Sequence, residues 1–410
     1  MALIIAVAAL GHGLLWLGAL NRLHGLSFSR TAIRRVNIAI LSFAAGLPVA
    51  WGWWWATVGC GPIAWADQSF GLGVGHLFCR GYLGVCFAAA VFGLLITAAR
   101  LIADRLAAEP PAVCRVLNFP QAAPHPLLRI PGNQSLEVAL IDRELVLPQW
   151  PGELDRLSVL HLSDLHISPR MGRSFFADVI TCCAGRPADL VAVTGDILED
   201  PRGLDWLPDL FGRLRAPLGI YWIRGNHELK CDSDRLRSVL DSCGLVCLSG
   251  RWTSTSCRET AIVLAGNELP WFPPAAAMDA APPPAPAGPP RIALLHSPDQ
   301  FGWARREQFD LALAGHVHGG QVRIPLVGPI VAPSRHGLYY ARRSVYRGGR
   351  TTMHVSRGLS AEWPLRIACR PEIVRLSLRA DGEPRESSSP TRGSTTEAAA
   401  DSGSRERRRA

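Results

Sequence analysis

Apolar residues are spread unevenly along this chain, and their pattern changes near residue 100. Before that point three runs carry no charged side chain: 2–20 (ALIIAVAALGHGLLWLGAL), 36–56 and 81–98. Each approaches the length of a helix that crosses a bilayer. The second ends in Trp51, Trp53, Trp54 and Trp55, a cluster that belongs at a membrane–water boundary. The pattern therefore predicts an N-terminal transmembrane region of about three helices over residues 1–105. A cleavable signal peptide is the rival reading of the first run, but a basic leading segment and a small-residue cleavage site are lacking. Arg22, Arg30, Arg34 and Arg35 separate the first two runs, and Arg100 and Arg105 follow the third. The positive-inside bias puts both segments in the cytoplasm. The expected location is the inner (plasma) membrane, multi-pass, with the rest of the chain facing the cytosol.

Residues 106–154 read as a connector, with 136–150 a strand or hairpin leading out of it. From residue 157 short apolar runs alternate with segments of helical spacing. Leu157–Leu162, Leu190–Thr194, Ile220–Ile223, Ala261–Ala265, Ile292–Leu295 and Leu311–Ala314 read as buried strands. Arg173–Ala184 and Ser233–Ser242 read as helices. This alternation predicts a layered α/β domain over 155–378 with its site at strand ends. Residues 271–290 are rich in Pro and Ala and predict an extended, solvated insertion. Residues 379–410 predict a disordered tail.

Composition adjusts this picture only slightly. The 410 residues are 48% hydrophobic and 19% charged, and most of the apolar excess lies in the first hundred. The net charge of +9 is spread as Arg through loops and tail, a solvated surface that also suits anionic lipid or a phosphorylated substrate. Eleven cysteines without framework spacing fit reduced thiols in a cytosolic domain. A zinc site from Cys231, Cys243, Cys247 and Cys257 is disfavoured by the lack of any C-x-x-C pair.

The chemistry lies where the apolar runs break off. Asp164 and His166 stand in HLSDLH, Asp196 in VTGD, and Asn226 with His227 in RGNHE. His296 stands in LLHSPD, and His316 and His318 in AGHVHGG. Carboxylate, amide and imidazole at successive strand ends are what two metal ions about 3.5–4 Å apart require. Such ions lower the pKa of a bridging water and neutralise phosphoryl oxygens. One carboxylate must bridge them, and Asp196 in its tight Thr-Gly-Asp turn is the natural choice. His161 reads as a strand residue rather than a ligand. Any one of these motifs is weak, and the ordered set is specific.

That ordered set resembles the calcineurin-like metallophosphoesterases, and LLHSPD, GHVHGGQVRIP, HVSRGL and PEIVRLSL resemble their membrane-associated bacterial branch. The resemblance implies a sandwich of two β-sheets with helices on the outer faces. It implies that Asp164, His166 and His318 bind one metal, that Asn226, His296 and His316 bind the other, and that Asp196 bridges. It also implies that His227 contacts the phosphate and protonates the leaving oxygen, with Glu228 orienting its imidazole. The cofactors are expected to be two divalent ions, Mn²⁺, Fe or Zn²⁺. The Pro/Ala insertion departs from the family pattern, as does AGNELP before it; both are expected to affect substrate choice without touching a ligand.

The expected function is hydrolysis of a phosphodiester or pyrophosphate at the bilayer surface. The substrate expected is lipid-linked, such as the UDP-2,3-diacylglucosamine that some membrane-associated relatives cleave in lipid A synthesis. A nuclease or cyclic-nucleotide phosphodiesterase is the alternative. Membrane attachment and the lack of an aromatic-basic strip argue against a nucleic-acid partner. An inactive metal-binding scaffold is the reading of another class.

Overall fold

Alternate residues of each apolar run face opposite ways, and this period of two builds three layers of side chains around two sheets. The computed structural model describes residues 2–23, 25–26, 30–54, 70–106 and 109–382. The strands are β1 (Ala112–Asn118), β2 (Glu137–Leu147), β3 (Leu157–Leu162), β4 (Leu190–Thr194), β5 (Ile220–Ile223), β6 (Leu245–Cys247), β7 (Trp252–Cys257) and β8 (Thr260–Asn267). They continue with β9 (Arg291–Leu295), β10 (Leu311–Ala314), β11 (Arg323–Ile324), β12 (Gly328–Pro329), β13 (Val345–Gly348), β14 (Thr351–Val355) and β15 (Glu372–Ala380). The first sheet runs β1-β2-β15-β3-β4-β5-β6 and the second β13-β14-β10-β9-β8-β7, with β11 and β12 forming a separate hairpin.

Leu157, Val159, Leu190, Ala192 and Ile223 of the first sheet meet Ile262, Leu264, Ile292, Leu294, Leu311 and Leu313 of the second in one buried cluster between the sheets. The other face of the first sheet, including Leu160, Leu162, Val191, Val193 and Trp222, is covered by helices α4 (Arg173–Ala184), α5 (Leu207–Phe211) and α6 (Ser233–Ser242). Phe175, Phe176, Phe211 and Leu240 fill that layer. Helix α7 (Phe301–Arg306) packs on the outer face of the second sheet, against Ala293, Leu295, Ala312 and Met353. A buried aliphatic or aromatic side chain contributes roughly 1.5–3 kcal/mol relative to exposure. Replacing one with a charge would therefore open the sandwich.

Parallel pairing aims the strand ends. β3, β4, β5 and β6 are parallel neighbours, as are β8, β9, β10 and, next to β10, β14. Their C-terminal ends deliver loops to one rim.

Three helices precede the sandwich: α1 (Ala2–Leu23), α2 (Arg30–Trp54) and α3 (Phe70–Leu106). α1 and α3 contain the first and third predicted runs, α2 contains the second as far as Trp54, with Trp55 and Ala56 outside the described residues, and α3 is longer than the 81–98 stretch that predicted it. Thr31–Trp53 and Arg80–Asp104 are long and apolar enough to cross a membrane, and almost nothing in the protein covers their central stretches.

Several expectations are corrected. The segment 106–154 is more than a connector, because β1 and β2 are strands of the first sheet and β2 pairs with β15 along nine residues. β2 is one continuous strand and not a hairpin, since its partner β15 arrives from the far end of the domain. The Pro/Ala stretch is not simply solvated: Ala276 and Met278 pack into the layer outside the second sheet. Arg379 and Ala380, expected in the tail, end β15, and the tail beyond residue 382 lies outside the described residues.

Candidate metal centre

The rim assembles every residue singled out above. Asp164 lies two residues beyond β3, Asp196 two beyond β4, Asn226 and His227 just beyond β5, His296 directly after β9, and His316 and His318 just beyond β10. Asp164, His166, Asp196, His316 and His318 all have positive φ, between 46° and 67°. The left-handed region costs a non-glycine residue roughly 1–2 kcal/mol. Five such residues on one rim mark a site for which the fold accepts strain. The backbone must also pass close to the carboxylates. A Cβ on Gly225 would collide with Asp196 Oδ1, and one on Gly315 would collide with Asp164 Oδ2.

Ligand-type atoms converge in groups whose members all lie within 4.8 Å of one another. One comprises Asp164, His166, Asp196 and His318, and another comprises Asp196, His296 and His316. Asp196 belongs to both. Its Oδ2 lies 3.3 Å from His296 Nε2 and 3.6 Å from His166 Nε2. His166 Nε2 and His318 Nε2 face each other at 3.2 Å, and Asp164 Oδ1 stands 3.5 Å from the latter. Donors held about 2.1 Å from a common ion are spaced in this way. Asn226 Oδ1 lies 3.0 Å from His296 Nε2. The nitrogen and oxygen donors fit divalent transition metals. No cysteine joins these groups among the described residues.

Outer contacts orient the imidazoles. His296 Nδ1 is 2.8 Å from Thr194 O, and His316 Nε2 is 2.9 Å from Pro333 O. Carbonyl oxygens only accept, so those nitrogens carry protons and the opposite ones face inward. His166 Nδ1 is 2.9 Å from Glu199 Oε2, which also holds His227 Nδ1. Lys230 Nζ completes this knot, bonding Glu199 and standing 2.8 Å from His227 Nδ1. Asp164 accepts the backbone N–H of His316 and, at 2.6 Å, the hydroxyl of Ser163. Behind Ser163 a buried chain runs through Thr194 Oγ1 (2.7 Å) and His161 Nε2 (2.9 Å) to His354, across the interior to the second sheet.

The electrostatics fit a cation. Burial raises the Asp164 carboxyl above the usual range. Burial acts the same way on Asp196, but His296, His227 and His166 outweigh it and hold that carboxyl well below the usual range. Burial works against charge on His296, yet Asp196 and then Asp164 lift it to about 9. Burial, and next the proximity of His296, pushes His316 down to about 3. Burial, then His166 and Arg366, keeps His318 uncharged. Positive charge is thus demanded beside the carboxylates, while His316 and His318 are kept neutral as metal binding requires.

Two expectations about neighbours are corrected. Glu228 does not orient His227. Its buried carboxylate accepts the backbone N–H groups of Asp196, Ile197, Leu198 and Gly225, tying the β4 and β5 loops together. Its oxygens are engaged by those N–H groups, and Glu199, which holds His227 Nδ1, takes the expected role. The one signal for Glu199 was an acid three residues after Asp196, behind two apolar residues. The Pro/Ala insertion does reach the site: its first residue, Trp271, sets its ring 4.8 Å from that of His316 and 5.4 Å from that of His296.

Comparison with known proteins agrees with this geometry. Residues 157–320 match the family model described as calcineurin-like phosphoesterase. "Phosphodiesterase YaeI" of Escherichia coli K12 is 31% identical over 226 residues, covering 54% of this chain and 81% of that protein. The "Uncharacterized metallophosphoesterase YkuE" of Bacillus subtilis is 28% identical over 249 residues, covering 56% and 81%. A "Transmembrane protein with metallophosphoesterase domain" from Danio rerio is 26% identical over 264 residues, covering 60% of this chain and 59% of that one. The chain belongs to the calcineurin-like phosphoesterase family and is a metal-dependent phosphoester hydrolase.

Proposed function

We propose that this enzyme is anchored in a membrane by its N-terminal helices and hydrolyses a phosphodiester or pyrophosphate in a lipid-linked substrate, of which UDP-2,3-diacylglucosamine is one candidate. In this reading Asp164, His166 and His318 hold one cation, Asn226, His296 and His316 hold the other, and Asp196 holds both. Two such cations supply charge neutralisation on the phosphoryl oxygens and an activated water. Glu199 fixes His227 by its Nδ1, which leaves Nε2, 4.0 Å from Asp196 Oδ2, to contact the phosphate and donate a proton to the leaving oxygen. Thr194 and Pro333 carbonyls keep His296 and His316 in the tautomers that ligate.

The observation that carries the lipid reading is a tether between the first helix and the site. Asn21, near the end of α1, is buried; its Nδ2 donates to Ile330 O at 3.1 Å and its Oδ1 accepts from Ala332 N at 2.9 Å. One residue further on, the Pro333 carbonyl holds His316. The site thereby lies within a few residues of an apolar helix end. The ends of α1 and α3 both meet the enzyme domain, which supports three spans with the enzyme on the side where they end, and the arginines flanking those ends favour the cytosol for that side. The domain limits that fit are a membrane region to about residue 106 and an enzyme domain from β1 to β15.

Purification in detergent, elemental analysis and a substrate panel test this. The expected result is close to two bound divalent ions and turnover of UDP-2,3-diacylglucosamine above cyclic dinucleotides and single-stranded DNA. Preference for either nucleic-acid substrate would overturn the lipid reading. Activity indifferent to chelators would overturn the metal assignment.

A further inference from the structure

The hairpin β11–β12 is short, apolar and uncovered. Ile324 is 45% exposed, Leu326 79% and Val327 40%. Its strands pair Arg323 with Pro329 and Ile324 with Gly328, so these side chains surround the turn. Water is a poor surrounding for three adjacent apolar side chains on a tight turn, and such a patch marks an interaction surface.

The hairpin's neighbours say which surface. The Arg342 guanidinium grips Asp104, with Nε at 2.7 Å and Nη2 at 2.6 Å from Oδ2, and donates through Nη1 to Val327 O at 2.8 Å. Asp104 is the last residue of the span Arg80–Asp104. One side chain therefore sets the tip of the hairpin beside the end of a membrane-length helix. Directly after the second strand, Ile330 is held by Asn21 near the end of α1. Two helix ends thus hold the turn and the outgoing end of the same hairpin. Resting on the membrane reading proposed above, we infer that the 323–329 hairpin is a membrane-inserting device whose Ile324, Leu326 and Val327 enter the boundary between headgroups and acyl chains. The hairpin leaves the His318–Gly320 turn and returns to the Pro333 carbonyl that holds His316. Lipid that reaches the hairpin is then beside the metal-binding loops.

Labelling of the full-length protein in phospholipid nanodiscs tests this without reference to turnover. A phospholipid with a diazirine in its acyl chain is photolysed, and tryptic peptides are mapped by mass spectrometry. Adducts are expected on the 324–335 peptide as well as on α1–α3 peptides, and to fall several-fold in Leu326→Glu. Adducts confined to the three helices would overturn the inference. A kinetic arm separates it from the substrate proposal. Leu326→Glu is expected to slow hydrolysis of a lipid-linked pyrophosphate in vesicles by about tenfold, since a charge at the interface opposes insertion, and to leave a soluble bis-aryl phosphate unaffected. Equal loss on both substrates would overturn the inference. Labelled hairpin peptides in an enzyme that ignores lipid-linked substrates would uphold the hairpin and sink only the substrate.

Discussion

The two sheets contribute different chemistry to one rim. The first supplies both carboxylates, the amide and two of the imidazoles: Asp164, His166, Asp196, Asn226 and His227. The second supplies imidazoles alone: His296, His316 and His318. Their supports differ in kind. Residues of the first sheet are held by buried acids, Glu199 and Glu228, and by the Ser163 hydroxyl. Of the second sheet's residues, His296 and His316 are held by backbone carbonyls and faced by Trp271. The first sheet therefore sets the charge of the site, and the second sets its geometry. Changes on the first should remove catalysis, while changes on the second should weaken metal retention and be rescued by added metal.

The severest break is expected at the residue both groups share. Asp196→Ala should lower kcat by on the order of 10³-fold or more, with the fold intact by circular dichroism. Elemental analysis should find less than two ions per chain. Near-wild-type turnover would show that the two groups do not depend on a common carboxylate. Next in size is a paired test of the two kinds of support. Glu199→Gln should cost about 10–100-fold in kcat and resist rescue by excess Mn²⁺, because His227 loses its anionic partner. His316→Ala should lose activity of the same order at trace metal and recover much of it at millimolar metal. Equal response to added metal would erase the distinction between the sheets. The smallest effect is expected at Trp271→Ala, which removes a wall and no ligand. KM should rise by a few-fold with kcat little changed, since uniform binding is what such a contact supplies.

Much of this architecture could be read from residue order. The β3, β4, β5 and β10 runs are short, wholly apolar and followed by polar residues, and their limits matched the strands observed. Helices α4 and α6 matched as well, because their apolar spacing is clean and Asp232 caps the start of α6 through Asp234 N and Arg235 N. That the eight candidate residues would converge on one rim was legible because they stand just after apolar runs, as side chains ill suited to a core. What escaped depends on pairing across long distances. β2 looks like a leader until β15, more than 200 residues later, is seen beside it. The exchange of roles between Glu228 and Glu199 turns on which way a side chain points in a loop, and spacing carries no such information. Trp271 looked like the edge of a proline-rich loop because its contact with His316 is made across the rim.

The two cation-sized groups that share Asp196 draw residues from both sheets: His318 joins Asp164, His166 and Asp196 in one, and Asp196 joins His296 and His316 in the other. Neither of these two groups is completed by one sheet alone. On the ligand assignment proposed above, the nascent chain must emerge as far as residue 316 before the first of these two groups is complete and 318 before the second. If those groups are the metal sites, metal uptake is a late step in maturation, and a translation product truncated before residue 316 would be released empty.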